Sequence, residues 1–345
     1  MQRKIKRIGD LMKGSRAKPI KGAFLASALV LAQAGAFLIA QDSGAWTFSM
    51  GSGLELMYGT AYEYVYDNSN TLSELDWDIK PLVAIASEAR AKSGNFGFSV
   101  SCAAGFPGKV GTMADSDWQN EGTTAPNVKT NYSESDAILE HMTDLLVSLD
   151  YDFPVSPTLN LKSSVGFRYL NIAWQAKDGW LQYADNITST SSPPYHSYTT
   201  GAVYNLYGLV STYEQSYSGL VLGFSADWKL STALSLEAGL QASPVLSATA
   251  VDNHVLRGLS FTDTMSGGYL LQPELSLRWL LRDAFDLAAH LKYTWISGLR
   301  GDETVKAASN YTGTGLNPGD SLTYSNSAGA AFHALGLALT ADWHL

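Results

Sequence analysis

The sequence predicts an all-β fold, a ten-stranded antiparallel transmembrane β-barrel with long extracellular loops. Three observations lead there. Residues 1–45 read as an export signal, the rest of the chain is built from long period-2 segments, and the links between those segments alternate between short and long. The export signal is a basic stretch (Arg3, Lys4, Lys6, Arg7, Lys13, Arg16, Lys18, Lys21) followed by an apolar run from Ala23 to Ala40. Small residues at Ala34-Gly35-Ala36 and Ser43-Gly44-Ala45 offer cleavage sites, as in a secretory signal peptide. The mature domain is then expected to span residues 46–345.

No stretch after residue 45 has the 18 or so apolar residues of a membrane helix. Alternation recurs instead. Leu335, Leu337, Leu339, Ala341 and Trp343 alternate with Gly336, Ala338, Thr340, Asp342 and His344. Leu222-Phe224-Ala226-Trp228, Leu234-Leu236-Ala238-Leu240, Leu275-Leu277-Trp279-Leu281 and Leu287-Ala289-Leu291-Tyr293-Trp295 repeat the pattern. In extended backbone such residues share one face. Tyr and Trp near the segment ends suit the aromatic girdles of a membrane barrel.

Strands are expected at 46–66, 72–92, 95–110, 131–152, 157–177, 205–229, 231–249, 259–282, 284–300 and 328–345. Tight turns fall at Ser93-Gly94, Phe153-Pro154, Leu230 and Asp283. Longer links fall near 67–71, 111–130, 178–204, 250–258 and 301–327. An even number of strands, with every second connection long, is the pattern of an outer-membrane barrel whose long loops face outward. Several strands exceed the roughly 9–11 residues that cross a bilayer, so the barrel should stand above the membrane as a wall around a cleft. Ten strands enclose too little space for a porin-like channel, and the lumen is expected to be plugged by polar side chains.

Charge narrows the partners. Removing residues 1–45, which hold eight Lys/Arg and two acids, takes the formal charge from −9 to −15. A nucleic-acid footprint is absent, and an acidic surface favours cationic partners. Cys102 is the only cysteine, so no internal disulfide can form.

Two tripeptides carry the chemistry. Asp115-Ser116-Asp117 and Asp252-Asn253-His254 each place two functional side chains on one face, in the second and fourth outer links. His254 suits a general base, with Asp252 holding its tautomer. Asp115 and Asp117 form a like-charge pair in which one pKa should rise. Each tripeptide alone also fits a solvated loop, and Asp-x-Asp alone could ligate Ca²⁺. Their presence on one rim is what favours activation of a water molecule. The sequence has no Gly-x-Ser-x-Gly elbow, no His-Glu-x-x-His helix and no phosphate-binding glycine loop. Cys102, His290, His333 and His344 read as strand residues and His196 as loop surface; no metal site is expected.

Over residues 46–345 the chain resembles the omptins, ten-stranded outer-membrane endopeptidases. The resemblance lies in Glu63-Tyr64-Val65-Tyr66, Ser73-Glu74-Leu75-Asp76-Trp77, Met113-Ala114-Asp115-Ser116-Asp117-Trp118, Asn131-Tyr132 and Asp252-Asn253-His254. It implies an aspartic-type endopeptidase in which Asp115 and Asp117 are the acid pair, Asp252 and His254 the dyad, and water the nucleophile. It also implies a substrate pocket with Glu63 at its base. A second position there, often acidic in the family, is Ala250, which suggests a relaxed preference for basic residues beside the cut. The basic cluster that holds lipopolysaccharide in omptins is matched by the uncharged Asn171, Ser216 and Thr264, so no cofactor is expected and dependence on lipopolysaccharide is doubtful. Leu345 replaces the terminal aromatic residue common in such barrels. The expected partners are exposed, cationic polypeptides and outer-membrane lipid, with the site on the cell exterior. The competing reading is a catalytically silent barrel that acts as an adhesin or surface-binding protein through its loops.

Overall fold

Alternating apolar residues with β-branched and aromatic neighbours give each segment one face for lipid and one for the lumen, and the backbone pairs to satisfy its polar groups. In the computed structural model, which describes residues 46–67, 69–118, 127–185, 196–308 and 316–344, all the long segments are strands. They are β1 (Thr47–Asp67), β2 (Asn70–Ser93), β3 (Phe96–Gly105), β4 (Gly108–Asp117), β5 (Asn131–Ser156), β6 (Leu159–Tyr183), β7 (Val203–Lys229), β8 (Leu234–His254), β9 (Leu259–Arg282), β10 (Phe285–Ala307) and β11 (Ser321–His344). The expected signal segment and Leu345 lie outside the described residues.

Neighbouring strands pair antiparallel, and β1 pairs with both β2 and β11, which closes the ring. β3 and β4 are two halves of one stave. β3 pairs with the lower part of β2 and β4 with its upper part, and both pair with β5. The break falls at Phe106-Pro107, where proline has no N–H to give to a ladder. Counting that stave once, the ring has the ten strands expected.

The tight turns lie together at one end, at residues 94–95, 157–158, 230–233 and 283–284. The turn expected at Phe153-Pro154 is displaced: β5 runs through Pro154, which pairs with Asn160. A proline is tolerated there because it sits at a strand end. At the opposite rim the strands run further than hydrophobic alternation suggests. β4 reaches Asp117, β6 Tyr183, β8 His254 and β10 Ala307, while β11 already begins at Ser321. Above the apolar belt the outward side chains turn polar and the alternation fades, but the backbone ladder continues.

That belt is formed by exposed outward residues such as Leu54 and Leu56 on β1, Leu222 and Phe224 on β7, Leu277 and Trp279 on β9, and Leu337 and Leu339 on β11. Inside the belt the lumen is polar. Arg168 donates to both Asp144 oxygens at 2.8 and 2.6 Å, and Lys292 lies 3.0 Å from Glu55. These groups line a cavity of about 420 Å³.

The polar plug expected from the sequence stops there. Above the belt much of the inward face turns apolar: Leu75, Trp77, Ile79, Leu170, Ile172, Trp174 and Tyr213 are buried in one cluster. Trp77, Trp174 and Tyr213 sit ring on ring at 5.3–6.1 Å. The reason is a change of solvent. Within lipid the apolar face must point out, whereas above it water surrounds the wall and the apolar face turns inward. This aromatic layer is the floor of the upper cleft.

Candidate active site

The four residues singled out in the two tripeptides all reach the loop-side rim, but on strands rather than in loops. Asp115 pairs with Leu75 and Ser133, and Asp117 with Ser73 and Asn131, at the top of β4. Asp252 pairs with Tyr213 and Phe261, and His254 with Ser211 and Leu259, at the top of β8. Sheet pairing fixes these side chains more tightly than a loop would. The i, i+2 spacing does what strand geometry requires: both members of each pair face the cleft. Between them Asn253 turns away and donates to Thr212 Oγ1 at 3.0 Å.

On the β8 side, His254 Nε2 lies 2.5 Å from Asp252 Oδ2. The Asp252 side chain is only 2% exposed and that of His254 is 20% exposed. With Nε2 engaged as the donor, Nδ1 is the remaining basic atom of the ring. Burial pulls the imidazole pKa down, but the charge and hydrogen bond of Asp252 outweigh it and hold His254 above its ordinary value. Phe261 packs beside the ring at 5.0 Å between centroids.

On the β4 side, Asn131 Nδ2 donates to Asp117 Oδ2 at 3.0 Å, and Thr130 binds the Asp117 carbonyl through its N–H and its hydroxyl. Ser73 Oγ reaches Asp115 Oδ1 at 3.5 Å. Burial and the adjacent Asp117 charge push Asp115 up to about 7, against the pull of His254 and Arg257. Asp115 and His254 each bias the other's charge, so the acid pair and the dyad share one cleft.

Arg257 was not singled out from the sequence. It stands in the four-residue turn 255–258, where Arg257 and Gly258 both donate their N–H to the His254 carbonyl. Gly258 has φ 65°, a conformation glycine adopts without strain. The Arg257 guanidinium donates to Tyr183 Oη at 3.2 Å and attracts both Asp115 and Asp117. Its nearness in sequence to His254 was the one available signal.

The two expected pocket positions are Glu63 on β1, which feels the charge of Asp252, and Ala250, two residues before Asp252 on β8. Both are buried and face the lumen. Two further acids join Glu63 there, Asp263 on β9 and Glu303 on β10. All three lie above the apolar belt, five or more residues beyond Tyr58, Tyr269 and Trp295. Burial, with like charge from Asp252, raises Glu63 well above the carboxylate range; Asp263 is pushed to about 8 and Glu303 to about 6. Neither was singled out from the sequence: strict alternation from the outward Leu275 and Leu277 puts Asp263 on the outward face until the extra residue Gly267 shifts the β8–β9 register, and Glu303 fell beyond the expected end of β10.

The outer wall carries Asn171, Ser216 and Thr264. Ser216 pairs with Asn171 on one side and Thr249 on the other, and Thr249 pairs with Thr264. The four therefore form one uncharged row across β6 to β9. Asn171 spends its amide N–H groups on Glu214 Oε1 and Ser216 Oγ, each at 2.8 Å, and its Oδ1 accepts from His141 Nε2 at 2.7 Å.

Comparison with known proteins agrees with the fold. The outer membrane protease OmpT from Escherichia coli superposes with a TM-score of 0.76 at 13% identity, covering 88% of this chain and 99% of that one. The translocator domain of the autotransporter NalP from Neisseria meningitidis matches at a TM-score of 0.31 and 12% identity, covering 93% of this chain and 96% of that one. No curated protein sequence matches the chain. The family model described as Omptin family matches residues 45–343, and the chain belongs to that family.

Proposed function

We propose that the protein is an outer-membrane endopeptidase that hydrolyses exposed polypeptides with a water nucleophile, next to basic residues. The carrying observation is the Asp252–His254 dyad set across one rim cleft from the Asp115–Asp117 pair. Water enters between them. His254 Nδ1 takes its proton as the water attacks the scissile carbonyl, and Asp252 stabilises the imidazolium that results. Asp115, kept partly protonated by Asp117 and burial, donates toward the developing oxyanion or holds the water. Once the tetrahedral carbon forms, the imidazolium returns the proton to the leaving amine. No side chain forms a covalent bond with substrate.

The site lies on the long-loop rim, which in an outer-membrane barrel faces the cell exterior. The pocket behind the dyad, with Glu63 at its base, takes the residue before the cut. On the β8 position alone, Ala250, preference for a basic residue there is relaxed.

Lipopolysaccharide does not fit the outer wall as a required cofactor. Binding its phosphates calls for cationic donors, and the row from Asn171 to Thr264 offers none, with Glu214 beside it.

The test is cleavage of a mixed peptide library by protein refolded in detergent, read by mass spectrometry, beside His254→Ala. Cleavage that disappears in a folded His254→Ala protein upholds the reading. Undiminished cleavage by that variant, or none by the natural protein, sinks it.

A further inference from the structure

Below the aromatic floor, a second cluster of functional side chains lines the cavity of about 420 Å³ in the lower lumen. Ser276 on β9 and His290 on β10 are cross-strand partners, and both face that cavity. Ser276 Oγ lies 2.8 Å from His290 Nδ1, and Thr340 Oγ1 on β11 lies 3.1 Å from His290 Nε2. Three neighbouring strands thus hold a hydroxyl, an imidazole and a second hydroxyl in series. The ring is fixed from both sides, because His290 pairs with Ser276 on β9 and with Ala338 on β11. None of these residues takes part in the chemistry at the rim.

A nucleophilic hydroxyl needs a base within hydrogen-bond reach and a third group that orients the base. With its proton on Nε2, His290 donates to Thr340, and its Nδ1 accepts from Ser276. Arg278, two residues from Ser276 on the same face of β9, brings a cation to that side of the cavity. Its Nε is held 3.6 Å from Asp286 Oδ2 and 3.8 Å from Asp342 Oδ2. A guanidinium fixed in this way suits the oxyanion that forms when an acyl carbon is attacked. The cavity also has a way in. Lys92 and His344, whose side chains are 39% and 41% exposed at the tight-turn end, both line it. Toward the rim it ends at Arg168 and Lys292, which are followed on their strands by Leu170 and Ile296 of the buried apolar cluster.

We propose that Ser276, His290 and Thr340 form a second hydrolytic site, reached from the tight-turn end, that acts on small carboxylic esters without negative charge. Ser276 Oγ attacks the ester carbonyl carbon while His290 Nδ1 takes the hydroxyl proton. The bond from that carbon to the alcohol oxygen breaks, the alcohol leaves with the proton, and Ser276 carries the acyl group. Water then attacks the acyl carbon with the same base, which releases the acid and restores the serine hydroxyl. Thr340 is a positioning residue that holds the tautomer. Size and charge set the substrate class. A cavity near the lower end of the usual range for ligands admits a small molecule and excludes a polypeptide. Glu88, Glu237 and Asp342, the acids that act on His290, disfavour an anion. The site stands apart from the rim cleft, with the aromatic floor between them.

The experiment treats protein refolded in detergent with a short-chain alkyl phosphonofluoridate and locates the adduct by mass spectrometry. Ser276 is expected to carry it, through a phosphorus–oxygen bond formed as fluoride leaves. His290→Gln should slow the labelling by about 10²–10⁴-fold, the range for loss of a general base. Thr340→Val should slow it about fivefold, as loss of one orienting hydrogen bond implies, and Thr340→Ser, which keeps the hydroxyl, should restore the rate. In parallel, turnover of para-nitrophenyl acetate should fall to the uncatalysed background in Ser276→Ala. Rates are compared between proteins that keep their heat-modifiable mobility. An absence of adduct at Ser276 in the natural protein overturns the proposal whatever the variants do. So does labelling of folded His290→Gln at the natural rate, or undiminished ester turnover by folded Ser276→Ala. If His290→Gln does not fold, the Thr340 pair decides, and equal rates for Thr340→Val and Thr340→Ser overturn it.

Discussion

Asp252 and His254, two residues apart on one face of β8, lie 2.5 Å apart between Oδ2 and Nε2, with the carboxylate almost wholly buried. A buried acid in that position does more than orient the ring. It raises the proton affinity of the base in a place where solvent would otherwise screen the effect. The geometry is made by strand pairing, since both residues are held between β7 and β9.

Removal of either group should therefore abolish most activity without unfolding the barrel. Loss of a general base costs about 10²–10⁴-fold, so His254→Ala should fall in that range in kcat, with Asp252→Ala close behind. Serine-directed covalent reagents should leave hydrolysis intact. So should thiol blockers, because Cys102, the single thiol, is buried in β3, away from the rim. Inactivation by a serine-directed reagent would contradict a water nucleophile.

The pH dependence follows from the same contacts. His254 must be neutral to accept a proton, and its pKa is held above the ordinary 6.5. Activity should thus rise with pH through a limb lying above 6.5 and fall away below it. Asp115 titrates near 7 in the same cleft, so the limb belongs to the coupled groups together. The Asp115 charge helps prop up His254, and Asp115→Asn should lower the imidazole pKa. An NMR titration of the His254 ring checks this independently of turnover. A ring pKa unchanged by the substitution would show that the two sides of the cleft are not electrically joined.

The upper floor should be structural as well as chemical. Trp174 is fully buried, tilted against Trp77 and stacked on Tyr213, the residue that pairs directly with Asp252. Truncating a buried tryptophan typically costs about 3–5 kcal/mol. Trp174→Ala should lower thermal stability in detergent and reduce kcat together, because the layer that sets the height of Asp252 loses its support. Full activity with unchanged melting would mean that the pairing of β7 with β8 holds the dyad unaided.

Much of this was legible in the chain. Period-2 alternation located every stave, and the two i, i+2 tripeptides lie at the rim ends of β4 and β8 as the two halves of the candidate site. What alternation misses is whatever lies above the belt, where outward residues turn polar. That is why Asp115 and His254 read as loop residues, and why Glu303 fell outside its strand. The same change of solvent explains the aromatic floor, hidden behind the expectation of a polar lumen. Asp263 was not visible as an inward residue: it shares the parity of the outward Leu275 and Leu277, and only the extra residue Gly267 in the β8–β9 pairing turns it to the lumen. Arg257 acquires its place only when the β8–β9 turn folds it back toward Asp115.

Lipopolysaccharide should not be needed. The uncharged row Asn171, Ser216, Thr249 and Thr264 spends its polar groups on itself and on Glu214. Protein refolded in lipid-free detergent should hydrolyse peptides at the rate seen after lipopolysaccharide is added. Asn171→Arg combined with Ser216→Lys should create a stimulation that the natural protein lacks, since cations on that row would hold phosphate. Strong stimulation of the natural protein would show that its lipid contacts lie elsewhere on the wall.

Topology is open to a direct test in cells. The strand ends Tyr183 and Val203, joined by residues 184–202, and Ala307 and Ser321, joined by residues 308–320, lie at the same rim as Asp115 and His254. If that rim faces outward, a protease added to intact cells should nick one of these two connections. The tight turns at 94–95, 157–158, 230–233 and 283–284 should stay whole until the outer membrane is opened. The distinction is sharp because the belt of outward Leu and Trp side chains separates the two ends. Cleavage at 184–202 or 308–320 only after cell opening would invert the barrel. The cleft would then face the periplasm, and polypeptides outside the cell could not be its substrates.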